Sequence, residues 1–347
     1  MFKSKTLFVV GAGASKEVGL PIGKDLKSII ASKLDIRFRD GYTQNSGDKT
    51  IMDLFRTLAG SEGYPKDVNK FLEACWLIRD AMPQASSIDA YIDAHRENHL
   101  VAVCGKAGIA SSILEAERMS KLYRDNTRLE KLDFSYVAET WFSKFFEIAL
   151  DRVSESEVDA ALEKVSFITF NYDRCIEHFL ASALSNYYGI SEQQAQEHAQ
   201  KVVIHHPYGT VGPLPWQKGA GKTPFGFTYV GERALSSISR LKTFTEQIEE
   251  GEEIRAMRSA VEEAETLIFL GFAFHRQNLE LIEPSTKTKV RKIFATASGI
   301  SHADCSELEI DLRNWSKQDP SRLRVELRND RTCGDLFDEY RRTFSTL

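Results

Sequence analysis

The sequence predicts an α/β fold: a parallel sheet covered by helices on both faces, with a large helical module inserted near its start. Three observations predict it. Short apolar runs that do not alternate with polar residues recur along the chain, as expected of strands buried on both faces. Stretches with helical periodicity separate them, which is the βαβ pattern of a parallel sheet. The stretch from about 51 to 150 is helical throughout, with no obvious strand.

The first strand is Thr6 to Val10 (TLFVV), followed by Gly11-Ala12-Gly13-Ala14-Ser15 and then Gly19-Leu20-Pro21. A helix comes next, with Leu26, Ile29, Ile30 and Leu34 on one face. A glycine turn between strand and helix lets backbone N–H groups approach a phosphate without Cβ interference. It is not the usual dinucleotide fingerprint, because Lys16 stands where the third glycine would be. Residues 36–50 read as a loop. Helical faces then follow at Ile51, Leu54, Phe55 and Leu58, at Val68, Phe71, Leu72 and Cys75, and at Trp141, Phe142, Phe145, Phe146 and Leu150. The last of these carries more apolar surface than one helix face needs, so part of it is expected at an interface between subunits. Packing on the sheet is the other reading.

Strands return with Val165 to Phe170 (VSFITF), ending in Asn171-Tyr172-Asp173, and a helix with Ile176, Phe179, Leu180 and Leu184 aligned. Lys201 to His205 (KVVIH) leads into His206-Pro207-Tyr208-Gly209. A loop rich in proline and glycine spans 212–226, and Phe225 to Val230 reads as a short strand. A long polar helix over about 243–265 delivers the chain to Thr266 to Leu270 (TLIFL), ended by Gly271-Phe272-Ala273-Phe274. Val290 to Thr296 reads as a further strand. The expected division is 1–35 and 160–347 for the sheet domain and 36–159 for the helical insertion.

Hydrophobic content of 42% and charged content of 27% are ordinary for a globular protein, and a formal net charge of −5 points to neither nucleic acid nor an anionic membrane as the main partner. No apolar run approaches membrane-span length, and the N-terminal run lacks a signal-peptide cleavage pattern. Cys75, Cys104, Cys175, Cys305 and Cys333 are odd in number, scattered, and include no C-x-x-C pair. That argues against a disulfide framework and a structural zinc, and for a reducing, cytoplasmic location.

In parallel sheets the ligand sits outside the carboxyl ends of the strands. Four strands here end in glycine or polar clusters, GAGAS, NYD, HPYG and GFAF, and together they are better evidence of a site than any one alone. Asn171 and Asp173 are candidates to face a ribose and a carboxamide, with a helix N-cap as the plainer reading of Asp173. His206 is a candidate proton acceptor. His205 points the opposite way and reads as structural, and Tyr208 occupies the place just before the glycine.

GAGAS-x-x-x-GLP, F-N-Y-D, H-P-Y-G and L-G-F-A-F, in this order, resemble the sirtuin-like family over roughly 6–30 and 160–300. The resemblance implies a Rossmann-like parallel sheet binding NAD. Gly11, Ala12, Gly13 and Ser15 would then hold the pyrophosphate, and Asn171 and Asp173 the nicotinamide ribose and carboxamide. His206 would be the base. Gly271, Phe272 and Phe274 complete the expected binding set, with the two rings near the adenosine or, for one of them, buried in the sheet. The zinc ribbon of deacylase sirtuins is missing, and their H-G dipeptide is replaced by His206-Pro207-Tyr208-Gly209. What remains resembles the bacterial NADase branch of anti-phage defence, which cleaves NAD to nicotinamide and ADP-ribose. That likeness implies a separately encoded helicase-like ATPase as one partner; the missing cysteine pairs argue for no metal, and the size of the helical block, with the need to restrain a toxic NADase, leads to the expectation of a homo-oligomer. A protein deacylase, an ADP-ribosyltransferase and a non-enzymatic NAD or ADP-ribose sensor are the competing readings.

Overall fold

The computed structural model describes every residue except 125–130, 230, 244–245, 247–250 and 347, and the side chains of 232 and 346. The chain enters through β1 (Thr6–Val10) and turns at once into the short α1 (Ala12–Ser15) and then α2 (Gly23–Leu34). A small antiparallel ribbon, β2 (Arg37–Phe38) and β3 (Gln44–Ser46), occupies the stretch expected as loop. Helices α3 (Lys49–Leu58), α4 (Asn69–Ala81), α5 (Ile88–Ala94) and α6 (His99–Met119) follow. Their starts are set by polar side chains that accept the free first-turn amides: Asp48 for α3, Ser87 for α5 and Asn98 for α6. With α2 they share one hydrophobic core around Ile30, Phe55, Phe71, Cys104 and Ile109. By length and composition α6 could cross a membrane, but 72% of its apolar window is buried in this core.

The chain returns to the sheet with α7 (Trp141–Ala149) and α8 (Val158–Leu162), then runs through β4 (Val165–Thr169), α9 (Cys175–Tyr188), α10 (Glu192–Ala199) and β5 (Val203–His205). After α11 (Gly231–Arg240) and α12 (Glu252–Glu263) come β6 (Thr266–Leu270), α13 (Arg276–Leu281), β7 (Lys292–Thr296), α14 (His302–Trp315), β8 (Arg324–Arg328) and α15 (Cys333–Thr346). The six strands are all parallel, in the order β5-β4-β1-β6-β7-β8. Numbered along the sheet's own strands this is 3-2-1-4-5-6, the doubly wound order of a Rossmann-like fold. Alternate residues face opposite layers. Phe8, Val10, Phe167, Leu270 and Phe294 face α7, α9 and α15, whereas Leu7, Val9, Phe269 and Ile293 face α12 and α14.

Three expectations change. Residues 225–229 form a turn and irregular chain, with Val230 outside the described residues: Gly226 takes a positive φ of 65°, which a strand does not accommodate. The helix expected over 243–265 is described only as α12, beginning at Glu252 after Gly251; residues 244–245 and 247–250 of that expectation lie outside the described residues. The aromatic stretch of α7 is not at the surface. Trp141, Phe142, Phe145 and Phe146 are 1%, 1%, 2% and 8% exposed: Phe145 packs on Phe8 and Phe167 of the sheet, Trp141 on Phe145 and on Phe337 of α15, and Phe142 and Phe146 on Phe179 of α9. Each such burial is worth about 1.5–3 kcal/mol, so the sheet and the helices that cover it account for these rings and leave none for an interface. Conversely α11, which lies beyond the expected insertion, joins the helical core through Ala234 and Ile238.

Candidate active site

The polypeptide leaves β1 toward β4 on one side, while β6 continues to β7 on the other, so the carboxyl ends of β1 and β6 form the topological switch point of the sheet. Two turns meet there. Gly11 N–H donates to the Leu270 carbonyl (2.9 Å) and Gly13 N–H to the Gly271 carbonyl (3.0 Å). The turns touch backbone to backbone. A Cβ on Gly13 would sit 2.8 Å from Gly271 Cα, and one on Gly271, whose φ is +55°, would sit 2.0 Å from the Ala14 nitrogen. These glycines are therefore required by the contact between the turns. A phosphate that used the Gly13 amide would have to displace the Gly271 carbonyl. The turn is braced from below: Trp141 Nε1 donates to the Ala14 carbonyl (3.0 Å), and Glu17 accepts from the amides of Trp141 and Gly334 (2.8 Å each).

Asn171 lies just beyond β4. Its Nδ2 donates to the Gly11 carbonyl (3.2 Å) and to Ser15 Oγ (3.0 Å). Asp173 Oδ1 accepts from the amide of Cys175 (3.0 Å), the first residue of α9, but the N-cap position is Arg174, whose side chain makes no capping bond, so Asp173 braces the turn into the helix rather than capping it. Burial pushes the Asp173 carboxyl up, against the pull of the Cys175 amide and the Ser15 hydroxyl. Asn171 and Asp173 are both buried, and Ser15 joins them across the β1–β4 boundary. Sequence distance brought together here is large, since Ser15 and Asn171 are 156 residues apart.

His206, just after β5, takes part in the same cluster. Its Nδ1 lies 3.2 Å from the Asn171 carbonyl, and its Nε2 lies 2.8 Å from Glu177 Oε1, in the first turns of α9. Both partners are acceptors. The arrangement is that of an imidazolium donating through both nitrogens to a carbonyl and a carboxylate. Burial pulls the imidazole down, but the Glu177 charge overrides it and raises it above the usual histidine range. For Glu177 burial pushes up and His206 pulls down, and the net direction is down. Glu177 and His206 both line a cavity of about 700 Å3 along the outer side of β5, walled by Val202, Ile204, Pro213 and Trp216.

The remaining expected residues sit as follows. Ala12, in the turn, is half-buried. Phe272 is 4% exposed and packs against Phe170 and Phe269, with ring centroids 5.2 and 5.6 Å apart. Phe274 is half-buried, 5.2 Å from Phe272, and adopts a left-handed φ of +54°, rare for a bulky residue. Tyr208 is turned to the opposite layer from His206: it packs on Phe170, and its hydroxyl donates to Asn278 Oδ1 (2.5 Å). His205 is half-buried, and burial lowers its imidazole. Tyr172, between the two motif residues, donates to Asp89 of α5, which ties the helical layer to the end of β4.

Two groups escaped sequence reasoning. Glu177 was within reach, since it stands one helical turn after Asp173. Arg174 and Glu117 had no local signal, being 57 residues apart. Their side chains are fully buried, and they fasten α6 to the end of β4 and to the 212–226 loop. Among the described residues no group of three or more His, Cys, Asp or Glu side chains is arranged to hold a metal. A search of curated proteins finds no match. A family model described as the SIR2-like domain matches residues 165–301. That span begins with β4 and contains Asn171, Asp173, Glu177, His206 and the Gly271 turn, so the candidate site is assembled chiefly from the segment that the SIR2-like model matches.

Proposed function

We propose that the protein cleaves NAD to nicotinamide and ADP-ribose. One observation carries the reading: Ser15, Asn171, Asp173 and His206 come from the ends of β1, β4 and β5 and join in a single buried hydrogen-bonded cluster, at the carboxyl edge of the sheet beside the switch point where an α/β sheet binds its ligand. The SIR2-like match over 165–301 supports NAD as that ligand.

In this reading the pyrophosphate lies against the turn of Gly11, Ala12, Gly13 and Ser15, facing Gly271. Phe272 and Phe274 lie toward the adenosine. Asp173, its carboxyl raised by burial, holds the carboxamide. Breaking the ribose–nicotinamide bond leaves positive character on the ribose, and Asn171 orients the attacking water there. His206 with its partner Glu177 manages the proton. We further propose that the activity serves abortive infection in anti-phage defence, in a homo-oligomeric protein whose crevice is opened by assembly or by a separately encoded ATPase. Protein deacylation is the second reading of the same cluster, and the absence of paired cysteines disfavours the zinc module that accompanies it. The test is direct. Purified protein is incubated with NAD, alone and with the products of neighbouring genes. Chromatography showing nicotinamide and ADP-ribose in equal amounts supports hydrolysis. O-acyl-ADP-ribose from an acylated peptide would support deacylation instead.

A further inference from the structure

His206 has no lone pair to offer in this arrangement. Nδ1 faces a backbone carbonyl and Nε2 a carboxylate, and both are acceptors. Glu177 is the less satisfied partner. Its Oε1 meets His206, whereas Oε2 is buried without a hydrogen-bond partner among the described residues. The Glu177 side chain is only 7% exposed, yet it forms part of the cavity wall beside His206. A buried carboxylate oxygen left unpaired carries a desolvation penalty, and a ligand or water that donates to it removes that penalty.

We propose that Glu177 is the general base of the site, its unpartnered Oε2 taking the proton of the attacking nucleophile, while His206 is the fixed cation that keeps Glu177 ionised. The proposal rests on the NAD-cleavage reading. In the step, the bond between ribose C1′ and the nicotinamide nitrogen breaks, and its electron pair neutralises the pyridinium. Water oxygen bonds to C1′, and its proton passes to Glu177 Oε2, then to solvent. The chemistry parallels that of inverting glycosidases, where a carboxylate activates water opposite the leaving group. The charged and titratable groups around the pair are Asp173 and Arg174 at the start of α9 and His205 on β5, with Glu197, Lys201 and Lys218 lining the cavity.

The experiment compares wild type, Glu177→Gln, Glu177→Ala and His206→Asn with NAD, with and without azide. Azide needs no deprotonation, so it bypasses a missing base. Glu177→Gln is expected to lower kcat at least about 100-fold with KM within about threefold, the range general-base catalysis supplies. In Glu177→Ala, azide is expected to restore turnover and yield ADP-ribosyl azide, and in His206→Asn it is not. Nitrogen NMR of wild type at pH 7.5 is expected to show His206 protonated on both nitrogens, and this readout needs no variant to fold. Turnover of Glu177→Gln close to wild type, azide rescue of His206→Asn alone, or a neutral His206 at pH 7.5 would each overturn the proposal. Wild-type protein that releases no nicotinamide under any condition would instead remove the hydrolase reading and this step with it.

Discussion

Two buried ion pairs stand within one turn of each other at the start of α9, and they are built on opposite plans. In the first, all five N–H donors of Arg174 are used: two on Glu117 and three on the carbonyls of Gly212, Thr223 and Pro224. Glu117 in turn accepts twice on each oxygen, from the Arg174 side chain and amide and from the Gly226 amide. No acceptor or donor is left over. In the second pair, His206 is saturated and Glu177, a residue of the cavity wall, keeps one buried oxygen unpartnered among the described residues. A buried charge with every valence met is a fastener, since any change only loses bonds. A buried charge with one valence open is a site, because a ligand can still improve it. The 212–226 loop connects the two, since the fastened Gly212 immediately precedes Pro213 in the cavity wall.

The comparison is broken most severely by removing the fastener's cation. Arg174→Met leaves Glu117 buried and unpaired, at a cost of about 3–5 kcal/mol. Thermal unfolding is expected to show a large drop, and the double variant Arg174→Met/Glu117→Leu is expected to recover much of it. An Arg174→Met protein as stable as wild type would mean that the pair fastens nothing.

Next in size is Asn171→Ala, which removes the side chain joining the Gly11 turn to the cluster. NAD cleavage is expected to fall at least about 100-fold, equivalent to roughly 2.7 kcal/mol of barrier. Circular dichroism is expected to stay that of a folded protein. Near-normal turnover by a folded variant would remove Asn171 from the mechanism. Gly271→Ala follows. It asks a Cβ to enter the space of the Ala14 nitrogen at a positive φ, so destabilisation above about 1 kcal/mol is expected in urea unfolding. An unchanged midpoint would show that the turns at β1 and β6 yield easily, which would ease entry of a phosphate between them.

These variants also mark what the sequence could and could not disclose. Continuous apolar strands such as TLFVV and TLIFL report burial on both faces, so the parallel sheet was legible, as was the convergence of GAGAS, NYD and GFAF at one end of it. The short-range rule that adjacent strand residues face opposite layers set His206 apart from His205 and left Tyr208, two residues further on, as the alternative. The function of the Trp141–Phe146 stretch was not legible, because an apolar helix face has the same pattern whether it meets a sheet or another subunit. Nor was the Arg174–Glu117 pair, whose partners are set by tertiary packing alone. Glu177 carried a local signal, the spacing from Asp173, but its importance comes from His206, which a third element supplies.

The second pair sharpens under titration. His206 has a folded pKa raised above 6.5, so its stabilising contribution is fully present below that pH and is lost as pH rises through the raised value. Glu177 has a folded pKa lowered from 4.5, so its contribution is present above 4.5 and is lost as pH falls through the lowered value. The pair therefore contributes most between 4.5 and 6.5. The stability advantage of wild type over His206→Gln is expected to shrink as pH is raised from 6.5 toward 9. An advantage that grows over that range would mean a neutral His206 and a different partner for Glu177.

The smallest effect is expected at the neighbouring histidine. His205 is paired in register with Ile168 as the last residue of β5, and it faces the layer opposite His206. Burial lowers its imidazole, with Glu253 and His206 the charges that act on it, so it is neutral near pH 7 and holds no proton that the site needs. It is half-buried, and its loss removes packing at a sheet edge rather than in the core. His205→Ala is therefore expected to keep NAD turnover within about threefold of wild type, which is less than 1 kcal/mol of barrier. Stability is expected to change by no more than about 1 kcal/mol, the middle of the range for single substitutions. The contrast with His206→Asn is the informative quantity, because the two side chains share one strand end and one polar loop. If turnover collapses in His205→Ala and survives in His206→Asn, the reacting ribose lies on the α12 face of the sheet. The cavity beside Glu177 would then serve something other than the attack on NAD.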